Sequence, residues 1–133
     1  MNFLLDTHIF LWFINNDTQL PNNWRSLIEE CSNEVYLSVV SLWEVILKYQ
    51  LGKLTFPESP EVYLPKQRGR HLITNLDLDE KSVIQLIKLP PLHRDPFDRM
   101  LIAQAMEHRL ILITVDSAIK AYLVEGLLLL PKE

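Results

Sequence analysis

Cysteine is nearly missing from this 133-residue chain: Cys31 stands alone, so no internal disulfide can form. A surplus of positive charge is missing too. Thirteen Lys and Arg face seventeen Asp and Glu, a net charge of −4, which leaves no global basic field to hold nucleic acid. Any polyanion must be gripped locally. The longest late apolar stretch, Gly126 to Leu130, falls far short of the about 20 residues that a bilayer span requires, so no membrane partner is expected. No cationic, cleavable leader precedes Asp6, and there is no internal repeat or low-complexity tract. With a single cysteine, these absences predict a cytoplasmic protein. What remains is 48% hydrophobic content, enough for one domain over residues 1–133.

Along the chain, apolar strands alternate with helical patterns. Asn2 to Asp6 reads as a buried strand and Thr7 to Ile14 as a helix. Pro21 opens a helix reaching about Cys31, and Val35 to Val39 is a second strand. A helix from Ser41 carries Leu42, Val45, Ile46 and Tyr49 on one stripe, with Gly52 placed to end it. Pro57, Pro60 and Pro65 punctuate a stretch to Arg70, read as a short helix and a loop. His71 to Thr74 is a short third strand, and Asp79 caps a helix to about Lys88 that Pro90-Pro91 stops. Asp95-Pro96 opens a helix to about His108, Ile111 to Val115 is a fourth strand, and Leu127 to Leu130 is a fifth. Such alternation predicts an α/β architecture with a parallel sheet covered by helices on both faces.

In sheets of this kind the ligand crevice lies beyond the carboxyl ends of the strands, where the order reverses. Asp6 and Asp116 each stand at the exit of an apolar strand, and both enter that crevice if the first and fourth strands are neighbours. Glu44 and Asp98 fall in the first turns of helices that follow a strand or a proline-rich loop. Each of these also has a purely structural reading. Ser41-x-x-Glu44 matches a capping box, and capping is the favoured reading for Glu44 taken alone. Asp95 before Pro96 is a good N-cap, which makes function the favoured reading for Asp98.

The set of four shifts the balance. Two unit charges about 4 Å apart repel by about 4 kcal/mol at an effective dielectric of 20. No Lys or Arg cluster sits beside all four acids in sequence, so a hard divalent cation, Mg²⁺ or Mn²⁺, is the expected neutraliser. His8, His71, His93 and His108 lack ligand spacing and Cys31 is one soft donor, which disfavours zinc. Carboxylate-held Mg²⁺ with open water positions suits phosphoryl chemistry.

Four segments carry a family resemblance: Leu4-Leu5-Asp6-Thr7-His8, Ser38-Val39-Val40-Ser41-Leu42-Trp43-Glu44-Val45, His93-Arg94-Asp95-Pro96-Phe97-Asp98-Arg99-Met100, and Leu112-Ile113-Thr114-Val115-Asp116. In order, spacing and context they resemble the PIN-domain family, specifically its VapC-type toxin ribonucleases. The resemblance spans nearly the whole chain. It implies a three-layer α/β/α PIN-like fold with a central parallel sheet of about five strands. It also implies a Mg²⁺- or Mn²⁺-dependent endoribonuclease, the toxin of a type II toxin-antitoxin pair, with an RNA substrate, a cognate antitoxin and a homodimer. The family's acidic quartet falls on Asp6, Glu44, Asp98 and Asp116, as metal ligands and catalytic residues.

Around the quartet, Thr7 and Thr114 are candidates to order a water or orient a carboxylate, Ser41 to orient Glu44, and Asp95 to act as a supporting acid or as a cap. Arg99, Arg94 and Lys48 are the candidate RNA-phosphate contacts, with an ion pair to a neighbouring carboxylate the competing role for Arg99. Lys66, Arg68 and Arg70 read as a solvated face, and Trp12, Phe13, Trp24, Trp43 and Phe97 as core. The alternative function is a PIN-like or receiver-like metal-binding interaction module without nuclease activity. A receiver would need an Asp after a middle strand, where this chain has Ser38-Val39. A haloacid-dehalogenase-like phosphatase would need a second Asp two positions after Asp6, where His8 stands.

Overall fold

The computed structural model describes residues 1–92 and 95–131, apart from the side chain of residue 124. Five parallel strands form one sheet: β1 (Asn2–Leu5), β2 (Glu34–Ser38), β3 (Thr74–Leu76), β4 (Ile111–Ile113) and β5 (Leu128–Leu129), in the order β3-β2-β1-β4-β5. The helices are α1 (Thr7–Ile14), α2 (Asn22–Glu29), α3 (Val39–Gln50), α4 (Pro60–Arg70), α5 (Glu80–Gln85) and α6 (Pro96–His108), with 3₁₀ segments at Leu86–Lys88 and Ser117–Glu125.

Two cores flank the sheet because successive strand side chains point to opposite faces. Phe3, Leu5, Val35, Leu37 and Ile113 pack against Ile9, Phe10 and Phe13 of α1, Trp24 and Ile28 of α2, and Leu64 of α4. Leu4 and Leu112 face the other way, onto Leu101, Ile102 and Ala105 of α6 and onto Ile119 and Tyr122. The layers are therefore α/β/α. The chain winds from β1 through β2 to β3 on one side, then crosses to add β4 and β5 on the other. The order reverses at β1, and β1 and β4 are neighbours, with Leu5 paired to Ile113. The Asp6 amide extends that ladder by donating to the Ile113 carbonyl at 3.0 Å.

Several boundaries differ from the sequence expectation. The stretch from Thr55 to Arg70, expected as a short helix and a loop, has its loop before Pro60 and its helix, α4, from Pro60 to Arg70; Pro65 lies inside the helix and Leu64 packs into the core. The end of α4 displaces the third strand. His71 is the C-cap, Leu72 takes φ +57°, and the Ile73 amide closes back on the Arg68 carbonyl at 3.0 Å, so β3 starts at Thr74 and not His71. Helix α3 starts at Val39, not Ser41, because the Ser38 hydroxyl caps it by accepting from the Val40 amide at 3.0 Å. Strand β4 ends at Ile113, and Ser117–Glu125, for which no helix was expected, forms a 3₁₀ segment that closes on Gly126 at φ +99°. Trp43, expected in the core, is 61% exposed.

Candidate active site

The end of β1 hands the chain to α1 through Asp6, whose carboxylate caps that helix by accepting from the Thr7 amide at 2.8 Å. The other Asp6 oxygen accepts from the Thr114 hydroxyl at 2.6 Å. The Thr114 oxygen in turn accepts from the Asp116 amide at 3.1 Å, so one hydroxyl ties together two acids 110 positions apart. Burial pushes the Asp6 carboxyl above its ordinary range and the charge of Glu44 adds to the rise, while the Thr114 and Thr7 hydrogen bonds and His8 pull against it.

Glu44 lies in the second turn of α3, and the capping box expected with Ser41 does not form. The true cap, Ser38, sits three residues earlier, which turns Glu44 inward. It is 3% exposed, with Oε1 2.7 Å from the Thr7 hydroxyl and Oε2 2.8 Å from Lys48 Nζ. Thr7 Oγ1 also lies 2.8 Å from Ser41 Oγ. Thr7 has one proton, and its bond to the carboxylate is the stronger, which leaves the Ser41 hydroxyl free to donate to Thr7 in turn. Both threonines thus orient carboxylates.

Asp95 and Asp98 stand at the start of α6. Asp95 is the N-cap, accepting from the Phe97 and Asp98 amides at 2.9 and 3.3 Å. Asp116 caps the last 3₁₀ segment by accepting from the Ala118 amide at 3.0 Å. A cavity of about 270 Å³ collects Asp6, His8, Glu44, Lys48, Asp95, Asp98, Val115 and Asp116 on its walls. All four quartet positions therefore meet one space at the carboxyl edge of the sheet. A larger cavity of about 480 Å³ opens beyond Asp116, but Leu123, Leu129 and Leu130 line it and it holds only one of these acids.

Of the three cations expected to face RNA, only Lys48 is on the cavity wall among the described residues; Arg94, like the neighbouring His93, lies outside them. Arg99 is about 100° further round α6 than Asp98. Its guanidinium donates to the Pro90 carbonyl at 2.9 Å, the Tyr122 hydroxyl at 3.1 Å and the Leu89 carbonyl at 3.4 Å. That is a structural clamp between the loop before α6 and the C-terminal segment. Lys48 brings a positive charge to Glu44, four residues before it on the same helix. Partial burial alone would lower its pKa, but the hydrogen bond and charge of Glu44, with the charges of Asp95 and Asp98, raise it. His8, whose spacing gave no ligand signal, sits on the cavity wall, its ring 6.4 Å from Trp12; its place directly after Asp6-Thr7 was the available signal. Trp43 stacks edge-to-face on Phe97 at 4.9 Å, joining α3 to the start of α6.

The donor chemistry of this cavity fits a hard divalent cation: its walls offer the carboxylate oxygens of Asp6, Glu44, Asp95, Asp98 and Asp116 and no thiol, and burial disfavours the negative charge of Asp6. The side chains do not form a closed cage. Among the described residues, no three His, Cys, Asp or Glu groups gather round a single point.

Parallel strands feeding acids into a crevice at the reversal of strand order define an α/β/α domain with an acid-lined site. The chain belongs to the PIN-domain family, whose model matches residues 3–123. It is similar to the Mycobacterium tuberculosis protein named Ribonuclease VapC16, at 34% identity over 58 residues. The aligned part is 44% of this chain and 41% of that relative, so less than half of the relative's length is spanned. Two solved structures share the fold at 22% identity: VapBC2 from Rickettsia felis bound to a promoter DNA fragment (TM-score 0.72, 98% of each chain), and DNA-bound VapBC from Salmonella typhimurium (TM-score 0.68, 98% of this chain and 97% of that one). Among the described residues, no helix is long and apolar enough to cross a membrane.

Proposed function

We propose that this PIN domain is a Mg²⁺- or Mn²⁺-dependent endoribonuclease acting as the toxin of a type II toxin-antitoxin pair, held in check by a cognate antitoxin and working as a homodimer. The observation that carries this reading is the single cavity on which Asp6, Glu44, Asp98 and Asp116 meet from four separate elements. Toxin and partner are inferred from the ribonuclease relative and from the VapBC structures that share the fold.

Asp6, Glu44, Asp98 and Asp116 would hold the cation. Once bound, it supplies the positive charge that the phosphodiester oxygens and the attacking water both require. The protein's own part is placement. Thr114 and Thr7 fix the carboxylate planes of Asp6 and Glu44, and buried surroundings strengthen every charge interaction made there. Lys48, at the mouth of the cavity, is the described cation placed to meet an RNA phosphate.

Purified protein incubated with structured RNA and Mn²⁺ or Mg²⁺ is expected to cleave it, and cleavage is expected to stop with chelator and in Asp6→Asn. Equal cleavage in both controls would point to contamination or another chemistry. Metal binding without any cleavage would favour the interaction-module alternative.

A further inference from the structure

Resting on the metal-dependent reading above, we propose that Lys48 is an exchangeable counter-ion: its ammonium and the divalent cation compete for Glu44 Oε2, so the site accepts metal only by releasing the lysine. Glu44 is almost fully buried, and both of its oxygens already have partners. The Thr7 hydroxyl, backed by Ser41, holds Oε1 at 2.7 Å, and Lys48 Nζ holds Oε2 at 2.8 Å. A metal drawing on Glu44 therefore meets an oxygen that a cation already occupies.

The two ends of this pair differ in freedom. Glu44 sits on a helix face locked by neighbouring hydroxyls, whereas the Lys48 side chain is 36% exposed at the cavity mouth, on a flexible four-carbon stem. The lysine can leave; the glutamate cannot follow it. Departure alone would strand a buried charge without compensation, which proteins tolerate poorly. Departure is acceptable only when another positive charge arrives, so exit of ammonium and entry of metal become one event. The same exchange accounts for the open spacing of the acids: with Lys48 on Glu44 and the Asp6 oxygens committed to Thr7 and Thr114, the described carboxylates are held apart by protein donors and do not converge on a point. Asp95 and Asp98, whose charges also act on Lys48, extend its pull across the cavity. Lys48 is in this sense a positioning residue for Glu44 and a threshold for metal loading.

The test uses the intact protein and Mg²⁺ alone. In isothermal titration, Lys48→Met is expected to bind Mg²⁺ more tightly than wild type, on the order of tenfold, because the competing charge is gone. Loss of nearby positive charge would raise affinity even without displacement, so a second measurement on wild type decides between the two. The ¹⁵N signal of the Lys48 ammonium, retained by its bond to Glu44, is expected to vanish into the solvent-exchanging population in step with Mg²⁺ saturation. An ammonium signal unchanged at saturation overturns the proposal, as does equal or weaker Mg²⁺ affinity in Lys48→Met. Those outcomes leave the nuclease reading standing. Absence of Mg²⁺ and Mn²⁺ binding by wild type would remove both.

Discussion

On one side of the acidic cavity Asp6, Thr7, Ser41, Glu44 and Thr114 are all buried and hydrogen-bonded in a chain, while on the other Asp95, Asp98 and Asp116 are partly open to solvent. The closed wall comes from β1, α1, α3 and the exit of β4, so long-range contacts build it. The open wall comes from the first turn of α6 and the loop after β4, built mainly by local capping bonds. Enclosure and exposure are thus divided between the two sides. One pair of acids is enclosed by the fold, and the others meet the cavity from a partly exposed side.

Breaking the closed wall at its centre has the largest expected effect. Asp6→Asn should abolish RNA cleavage yet keep the fold. The sign for stability follows from the raised pKa: the folded protein binds this proton more tightly than the unfolded chain, so the ionised group costs stability at neutral pH and that cost is relieved as pH falls through the folded-state pKa. Asn carries no such cost, so thermal unfolding at pH 7 should show an equal or higher Tm.

Removing the hydroxyl that ties the two walls comes next. Thr114→Val leaves an Asp6 oxygen and the Asp116 amide without their partner, and is expected to reduce metal affinity or activity by about 10- to 100-fold and stability by about 1–3 kcal/mol. Parallel activity assays and urea denaturation would check both.

The open wall should separate function from folding. Asp98→Asn is expected to lose cleavage with a stability change within about 0.5 kcal/mol, whereas Asp95→Ala, which removes the α6 cap, should cost about 1 kcal/mol. If Asp98→Asn unfolded the protein while Asp95→Ala did not, the contrast between capping acid and functional acid would be reversed.

The smallest effect lies away from the cavity and serves as its control. Partial burial and then the Arg70 charge lower the pKa of His71, whose ring packs edge-on to Phe13 at 4.9 Å. The folded state therefore prefers the neutral ring. Its contribution is fully present above the unfolded value of about 6.5 and is lost as pH falls toward the lowered folded value. His71→Gln should flatten the stability profile below about pH 6.5, with cleavage at pH 7 unchanged.

The placement of Asp6 and Asp116 at strand exits and the cap at Asp95 were legible because they depend on strand ends and helix starts, which are local, whereas the adjacency of β1 and β4 stood only as a condition that the sheet order met. Glu44 was harder to read. Ser41-x-x-Glu44 satisfies the capping-box pattern, and only the earlier cap at Ser38 moves Glu44 into a second turn and turns it inward. In the proline-spaced stretch to Arg70 the helix was legible but not its length, since it runs on through Pro65 with Leu64 packed in the core. Arg99 carries the signature of a phosphate contact, and nothing local signals that Pro90 and Tyr122 will claim it. For Arg99 a contact across 23 residues decided the outcome.

Asp6, Asp95 and Asp116 each spend an oxygen on the opening turn of a helical segment, so the architecture asks for an acceptor at these positions whether or not chemistry follows. Substitution by alanine would loosen the scaffold together with the cavity, but asparagine keeps one oxygen to accept the capping bond while discarding the charge and the second oxygen. A descendant that gave up turnover while keeping its shape would then carry amides at these three places, a pattern recognisable by inspection of its residues alone.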